Sequence, residues 1–413
     1  MNRLGTDRTL TRRTALRRMA AGAFAVVGVA HRTSAGEQPA AKAPVCVERL
    51  PNGVEIWQVT TEALAQSNIY CEVPYCSRDS RHFVYQRHNP KLSGNRTEFM
   101  VVELGTWKQH RLDAAASISG CAVSPQGAFY YIKRTPGGEL DLMRADLAEG
   151  TPRPVYHMKN EPWIALGTVS ADGRYFARGK RLDDAWTSFG IVLFDLKQGR
   201  HDVIDRDPFI LNPHPQFEFA ESRRLMIQHN RGGKYTPDGK RLQLVGPEGA
   251  TLYLLSVPGG KRTTLQVGTP HTTSCTGHEA WIGATGEMLL SVSARGDYAP
   301  DKGNLLGVRA GQAARVVAKG YRFNHVGVSR CGRLFCCDDW QGTYKIVIGS
   351  VATGRTAVVC DSRTVPDRAQ NTHPHAYLTP DLGWVVFNSN RSGFPHVHAA
   401  RVPPQMTADL LKA

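Results

Sequence analysis

One unit recurs seven times along this chain at intervals of 46 to 64 residues, and no other feature restricts the fold as strongly. Each copy is an apolar strand, a turn bearing Ser or Thr, Pro, Asp or Gly, and a second apolar strand. Examples are Val73-Pro-Tyr-Cys-Ser-Arg-Asp-Ser80, Gly167-Thr-Val-Ser-Ala-Asp-Gly173 and His375-Ala-Tyr-Leu-Thr-Pro-Asp-Leu382. Aligned on the first turn residue, the copies fall at Ser77, Ser124, Ser170, Phe219, Gly283, Ser329 and Thr379. A period of about 45–50 residues with several strands per unit is the signature of a propeller blade. Asp and Gly suit the tight reversal, because both tolerate the positive φ that it needs. A further strand-like run follows each hairpin, as in Phe99–Leu104 and Gly190–Leu196, so each blade is expected to hold four antiparallel strands. The fold class expected is therefore all-β, a seven-bladed β-propeller spanning residues 45–405. Residues 53–60 alternate like a strand before the first anchor and are expected to complete the last blade, hiding the free edges. The one long interval, Phe219 to Gly283, contains an insertion at about 231–249 that should leave the core as a loop on one face.

What precedes the repeats reads as an address. Arg12-Arg13 stand ahead of a short apolar stretch, Met19 to Ala30, with small residues at Ser34-Ala35. A basic start, an apolar run too short to span a bilayer and small residues at its exit describe a secretory signal, and the paired arginines make it similar to the twin-arginine type. Residues 1–35 are thus read as a signal peptide and 36–44 as a linker, with the mature protein periplasmic or secreted and without a stable membrane anchor. That segment carries seven arginines against one aspartate, so +6 of the formal +15 belongs to it and +9 to the remainder. A modest basic excess suits an anionic partner. No Lys/Arg stripe is interleaved with aromatics, which disfavours nucleic acid. The nine cysteines are an odd count with no C-x-x-C pair, read mostly as small buried strand residues whose pairing the sequence does not give.

The chemistry concentrates in the second half. In a propeller the first strand of each blade lines the central channel, so equal repeat positions form a ring. Four or five positions before the anchor, the last four blades carry His214, His278, His325 and His375, where the first three carry Val73, Gly120 and Leu166 or a neighbour. His373 lies two residues before His375 and Gln370 three before that. Neutral imidazoles with an amide oxygen and no thiolate suit manganese, with calcium or zinc as alternatives. His396 and His398 read as structural, and His88, His110 and His201 as solvated.

Four segments carry a family resemblance: Asn212-Pro-His-Pro-Gln-Phe217, Ser274-Cys-Thr-Gly-His-Glu-Ala-Trp281, Asn324-His325 and Gln370-Asn-Thr-His-Pro-His375. Together they resemble the oligogalacturonate lyases, seven-bladed propellers that cleave short pectin fragments by β-elimination. The resemblance implies that His325, Gln370, His373 and His375 hold a manganese ion. It makes His278 the base that removes the C5 proton of a uronic acid, and it puts His214 and Gln216 at the substrate, an acidic oligosaccharide. One departure stands out. Where the family has an arginine beside the strand Leu252–Leu255, this chain has Thr251, so Arg231 or Arg241 of the insertion is expected to supply that cation. Two rivals follow from the same residues: a non-catalytic exported propeller that binds a protein partner, and an enzyme for another acidic glycan.

Overall fold

The structure is a computed structural model and describes residues 43–412 apart from 95, 149 and 368. The signal-type segment and nearly all of the linker lie outside the described residues. Seven antiparallel sheets follow one another along the chain, and around the central channel the first strands of blades 2, 3 and 4 touch in turn, as do those of blades 5, 6 and 7. These inner strands are Gln66–Asn68, Ile118–Val123, Trp163–Val169, Gln216–Phe217, Cys275–Trp281, Phe323–Val328 and Tyr377–Leu378. The expected seven-bladed, all-β architecture is what the chain forms.

The middle strands explain why this sequence stacks into blades. Phe189–Asp195 and Leu334–Asp339 are buried at every position, because each lies inside a sheet covered by neighbouring blades on both faces. Outer strands such as Gln109–Ala115 are mostly exposed or half-buried, with Leu112 alone buried, and are correspondingly polar. The turn motif has a mechanical basis. The hydroxyls of Ser77, Ser170 and Thr379 each accept a backbone N–H from five residues further on, at 2.9, 2.9 and 3.0 Å. Each hydroxyl donates in turn to Asp79, Asp172 or Asp381, at 2.6, 2.5 and 2.6 Å. That local network fixes the reversal between the first two strands of a blade and makes the repeat visible in the sequence.

Closure is as expected: Glu55–Gln58 pairs with His396–Arg401 in register from Glu55 opposite Arg401 to Gln58 opposite His398. Blade 7 departs from the four-stranded rule. Val45–Arg49 adds a fifth, outermost strand on Glu55–Gln58, with Val45 and Val47 on the exposed side. A C-terminal helix, Pro404–Leu411, was not legible in the strand pattern; it buries Leu410 against a cluster containing Val54, Ile56 and Val402. The insertion in blade 4 is a short hairpin, Lys234–Tyr235 against Arg241–Gln243, whose Tyr235 stacks on Trp186 of blade 3. All nine cysteines are free, and all but Cys46 and Cys331 are buried. Among the described residues no helix is long and apolar enough to cross a membrane.

Candidate metal centre

Irregularities of the inner strands aim the channel side chains. Pairing slips between Cys275 and Glu279 in blade 5 and between Phe323 and Val326 in blade 6, and these bulges carry His278 and His325. A bulge reorients the side chain it holds, which explains its recurrence beside functional sites. Blades 4 and 7 use another device. Pro213-His214 and Pro374-His375 both place the histidine at φ 41°. Strand N–H groups of Gln228 and Asn388 fix the preceding prolines by donating to their carbonyls at 2.7 and 2.8 Å. Left-handed backbone is costly for a side chain of this size and persists only where the surroundings enforce it.

The result is a convergence of imidazoles. One ligand nitrogen from each of His325, His373 and His375 lies within 4.8 Å of the other two. The three are held in complementary tautomers. Asp338, fully buried, accepts from Nδ1 of His325 at 2.6 Å and from its backbone N–H at 3.0 Å, which leaves the Nε2 lone pair to the Asn324 amide 3.4 Å away or to an ion. Nε2 of His373 donates to the carbonyl of Asp367 at 3.0 Å, and its Nδ1 is buried without a partner. Nε2 of His375 is likewise buried and unpartnered. Burial, with the charge of His325, drives the His375 pKa well below the ordinary imidazole value, and burial lowers that of His373. Neutral imidazoles with orphaned lone pairs turned together fit a divalent cation, since a buried acceptor left without a partner is otherwise costly. The indole of Trp340 packs 4.9 Å from His325 and 4.5 Å from His373, closing the centre on one side.

A cavity of about 750 Å³ opens beside the centre, lined by His375, His278, His214, Tyr70, Gln370 and Arg241, among others. Its lining also has an apolar part, contributed by Ile164, Leu166, Leu211, Leu244 and Val245. The His278 ring lies 4.4 Å from His325, and its Nδ1 is 3.2 Å from the hydroxyl of Thr276. Burial first, then the charges of His325 and His214, push its pKa well below the usual value, so this imidazole is neutral. Gln370, exposed, starts the short 3-10 turn Gln370–Thr372 that delivers His373, and faces the same cavity. His214 lines the cavity with Nδ1 2.8 Å from Glu72.

Two expected residues lie elsewhere. Arg231 points away from the cavity lining and donates to the carbonyls of Gly249, Thr269 and Glu248 at 2.8, 2.9 and 2.6 Å, clamping the base of the insertion. Gln216 is buried below the cavity, its Nε2 donating to the carbonyl of Glu279 at 2.6 Å. Thr251 turns its hydroxyl to the carbonyl of Val267, while its neighbour Ala250 lines the cavity. Conversely, Glu72, Tyr70, Glu279 and Asp338 belong to the site and were not singled out from the sequence. Asp338 left a signal, an acid at the end of the apolar run Leu334–Cys337; Glu72 left none.

No protein-family profile matches the sequence, and no curated protein does. Solved structures do. An oligogalacturonate lyase in complex with manganese aligns with TM-score 0.70 at 18% identity, over 90% of this chain and 99% of that one. An oligogalacturonate lyase from Vibrio parahaemolyticus aligns with TM-score 0.62 at 16% identity, over 90% and 99% of the two chains. The resemblance read from four short segments extends over the whole propeller: this chain has the fold of the oligogalacturonate lyases.

Proposed function

We propose that the protein is a divalent-metal-dependent lyase that cleaves short uronate oligosaccharides by β-elimination. The observation that carries this reading is the meeting of three buried imidazoles, two with orphaned ring nitrogens, beside a fourth neutral imidazole on one cavity. The chemistry requires both parts. A proton at C5 of a uronic acid is weakly acidic, because its removal builds further negative charge on the adjoining carboxylate. A divalent cation, manganese by preference, would when bound supply the positive charge that offsets it.

His325, His373 and His375 would hold the ion, with the Gln370 amide oxygen, which lines the adjoining cavity, available as a fourth donor. His278 is the base: neutral, close to the centre and steadied by Thr276, it accepts the C5 proton. Tyr70, whose ring lies 4.5 Å from that of His375 and 6.3 Å from that of His278, orients the sugar between them. The apolar part of the lining packs against the pyranose C–H face and excludes water. Arg241, the one basic side chain of the lining other than histidine, pairs with a further carboxylate. The product carries a C4–C5 double bond, and the glycosidic oxygen leaves C4.

Incubation of the purified protein with di- and trigalacturonate, followed at the ultraviolet absorbance of the unsaturated uronate, tests this directly. Turnover abolished by chelator and restored by manganese is expected. Absence of an unsaturated product on any uronate oligosaccharide would sink the lyase reading and leave a binding module.

A further inference from the structure

A second group of ligating atoms occupies the channel beside the histidine centre. Glu72 comes from the segment after the inner strand of blade 1, His214 from the left-handed position just before the inner strand of blade 4 and Glu279 from the inner strand of blade 5. One ligand atom from each lies within 4.8 Å of the other two. Nδ1 of His214 is 2.8 Å from a Glu72 carboxylate oxygen and 3.8 Å from Oε1 of Glu279. Oxygen and nitrogen ligands bind small divalent ions at about 2.0–2.2 Å, so neighbouring ligand atoms on one ion stand roughly 3–4.3 Å apart. The 3.8 Å separation falls in that range, and the 2.8 Å one is a hydrogen bond that an ion would replace.

Glu279 supplies the independent sign of a ligand. Its side chain is fully buried and Oε1 has no hydrogen-bond partner, although it is turned to the ring of His214. Asn212 lies 2.8 Å from Nε2 of His214. The Asn212 amide N–H donates to Nε2, so Nδ1–H donates to Glu72, and a bound ion would take the place of that proton.

We propose that Glu72, His214 and Glu279 form a second divalent-cation site, separate from the histidine centre and open to the same cavity. Two carboxylates and one imidazole make a harder donor set than the histidine cluster, suited to manganese or another oxygen-preferring divalent ion. Glu72 and His214 line the cavity, so the open coordination positions face the ligand. Tyr70 stands between the two centres, its ring 5.9 Å from that of His214 and 4.5 Å from that of His375. Resting on the lyase reading, the second ion takes the carboxylate of a neighbouring uronate, which makes the preferred substrate one with two adjacent acidic sugars.

Metal stoichiometry tests the site without reference to turnover. The full chain is equilibrated with manganese alone by dialysis, and bound metal is measured for the wild type, Glu279→Gln, Glu72→Gln and His373→Ala. Two ions per chain are expected, falling to one in each variant. One ion that is lost in His373→Ala and untouched in Glu279→Gln overturns the second site and leaves the histidine centre standing. One ion that is lost in Glu279→Gln and kept in His373→Ala does the reverse. No bound ion refutes both. Anomalous scattering from manganese-soaked wild-type crystals decides the matter if a variant fails to fold: a peak between Glu72 and Glu279 supports the proposal, and its absence overturns it.

Discussion

His278 and His325 stand one ring contact apart, yet their partners assign them different work. His325 is fixed through Nδ1 by a buried carboxylate, the arrangement that orients a metal ligand and raises its basicity. His278 has a hydroxyl and an amide as hydrogen-bonding neighbours, no carboxylate, and keeps a neutral ring free to take a proton. The two roles should separate under mutation. His278→Ala is expected to lower turnover by about 10²–10⁴-fold, the usual worth of a positioned base, with metal content unchanged on elemental analysis. Asp338→Asn is expected to weaken manganese binding about 10–100-fold, as measured by competition with a chelator, because the asparagine can neither fix the tautomer nor supply charge. The sequence disclosed the histidines, since four of them share one repeat position. It did not disclose Glu72 or Asp338, whose partners lie on other strands or blades and follow no spacing.

Strands and turns were easier to read than the insertion that interrupts them. Hydroxyl–aspartate turns recur because each is a local network within a few residues, so a repeat scan finds them. The bulges that aim the histidines are not local in that sense, being visible only as slips against a partner strand. The same limit explains Arg231, expected at the substrate because it is a cation in the insertion. Its guanidinium instead ties the start of the insertion to its end, at the Glu248 and Gly249 carbonyls, and to the Thr269 carbonyl beyond it. Arg231→Ala should therefore loosen the hairpin that carries Tyr235 and Arg241. Faster proteolysis within 231–249 and a raised KM are expected, with kcat and metal content nearly unchanged. An equal loss of kcat and metal would mean that Arg231 acts on the centre itself.

A closed ring stands or falls with its closing seam, where the first described strands of the chain meet the last. His396–Arg401 pairs on one side with Trp384–Ser389 and on the other with Glu55–Gln58, and it carries two buried histidines. His398 stacks on Phe387 at 5.4 Å with Nε2 unpartnered, and burial, reinforced by the charge of Arg391, lowers its pKa to about 3. His396 accepts from or donates to Thr60 and Gln66, and burial lowers its pKa to about 4. Both values lie below the unfolded value of about 6.5, so below that pH the unfolded chain binds protons that the folded seam excludes. Their stabilising effect is complete above pH 6.5 and is lost as pH falls toward 4 and then 3. Each such histidine contributes a slope approaching about 1.4 kcal/mol per pH unit within that window. Urea denaturation at pH 7, 6, 5 and 4 should show the decline, and His398→Leu should flatten it by about one proton's worth. An unchanged slope in His398→Leu would mean that the seam does not govern acid unfolding, and that the burial of these two rings reflects packing alone.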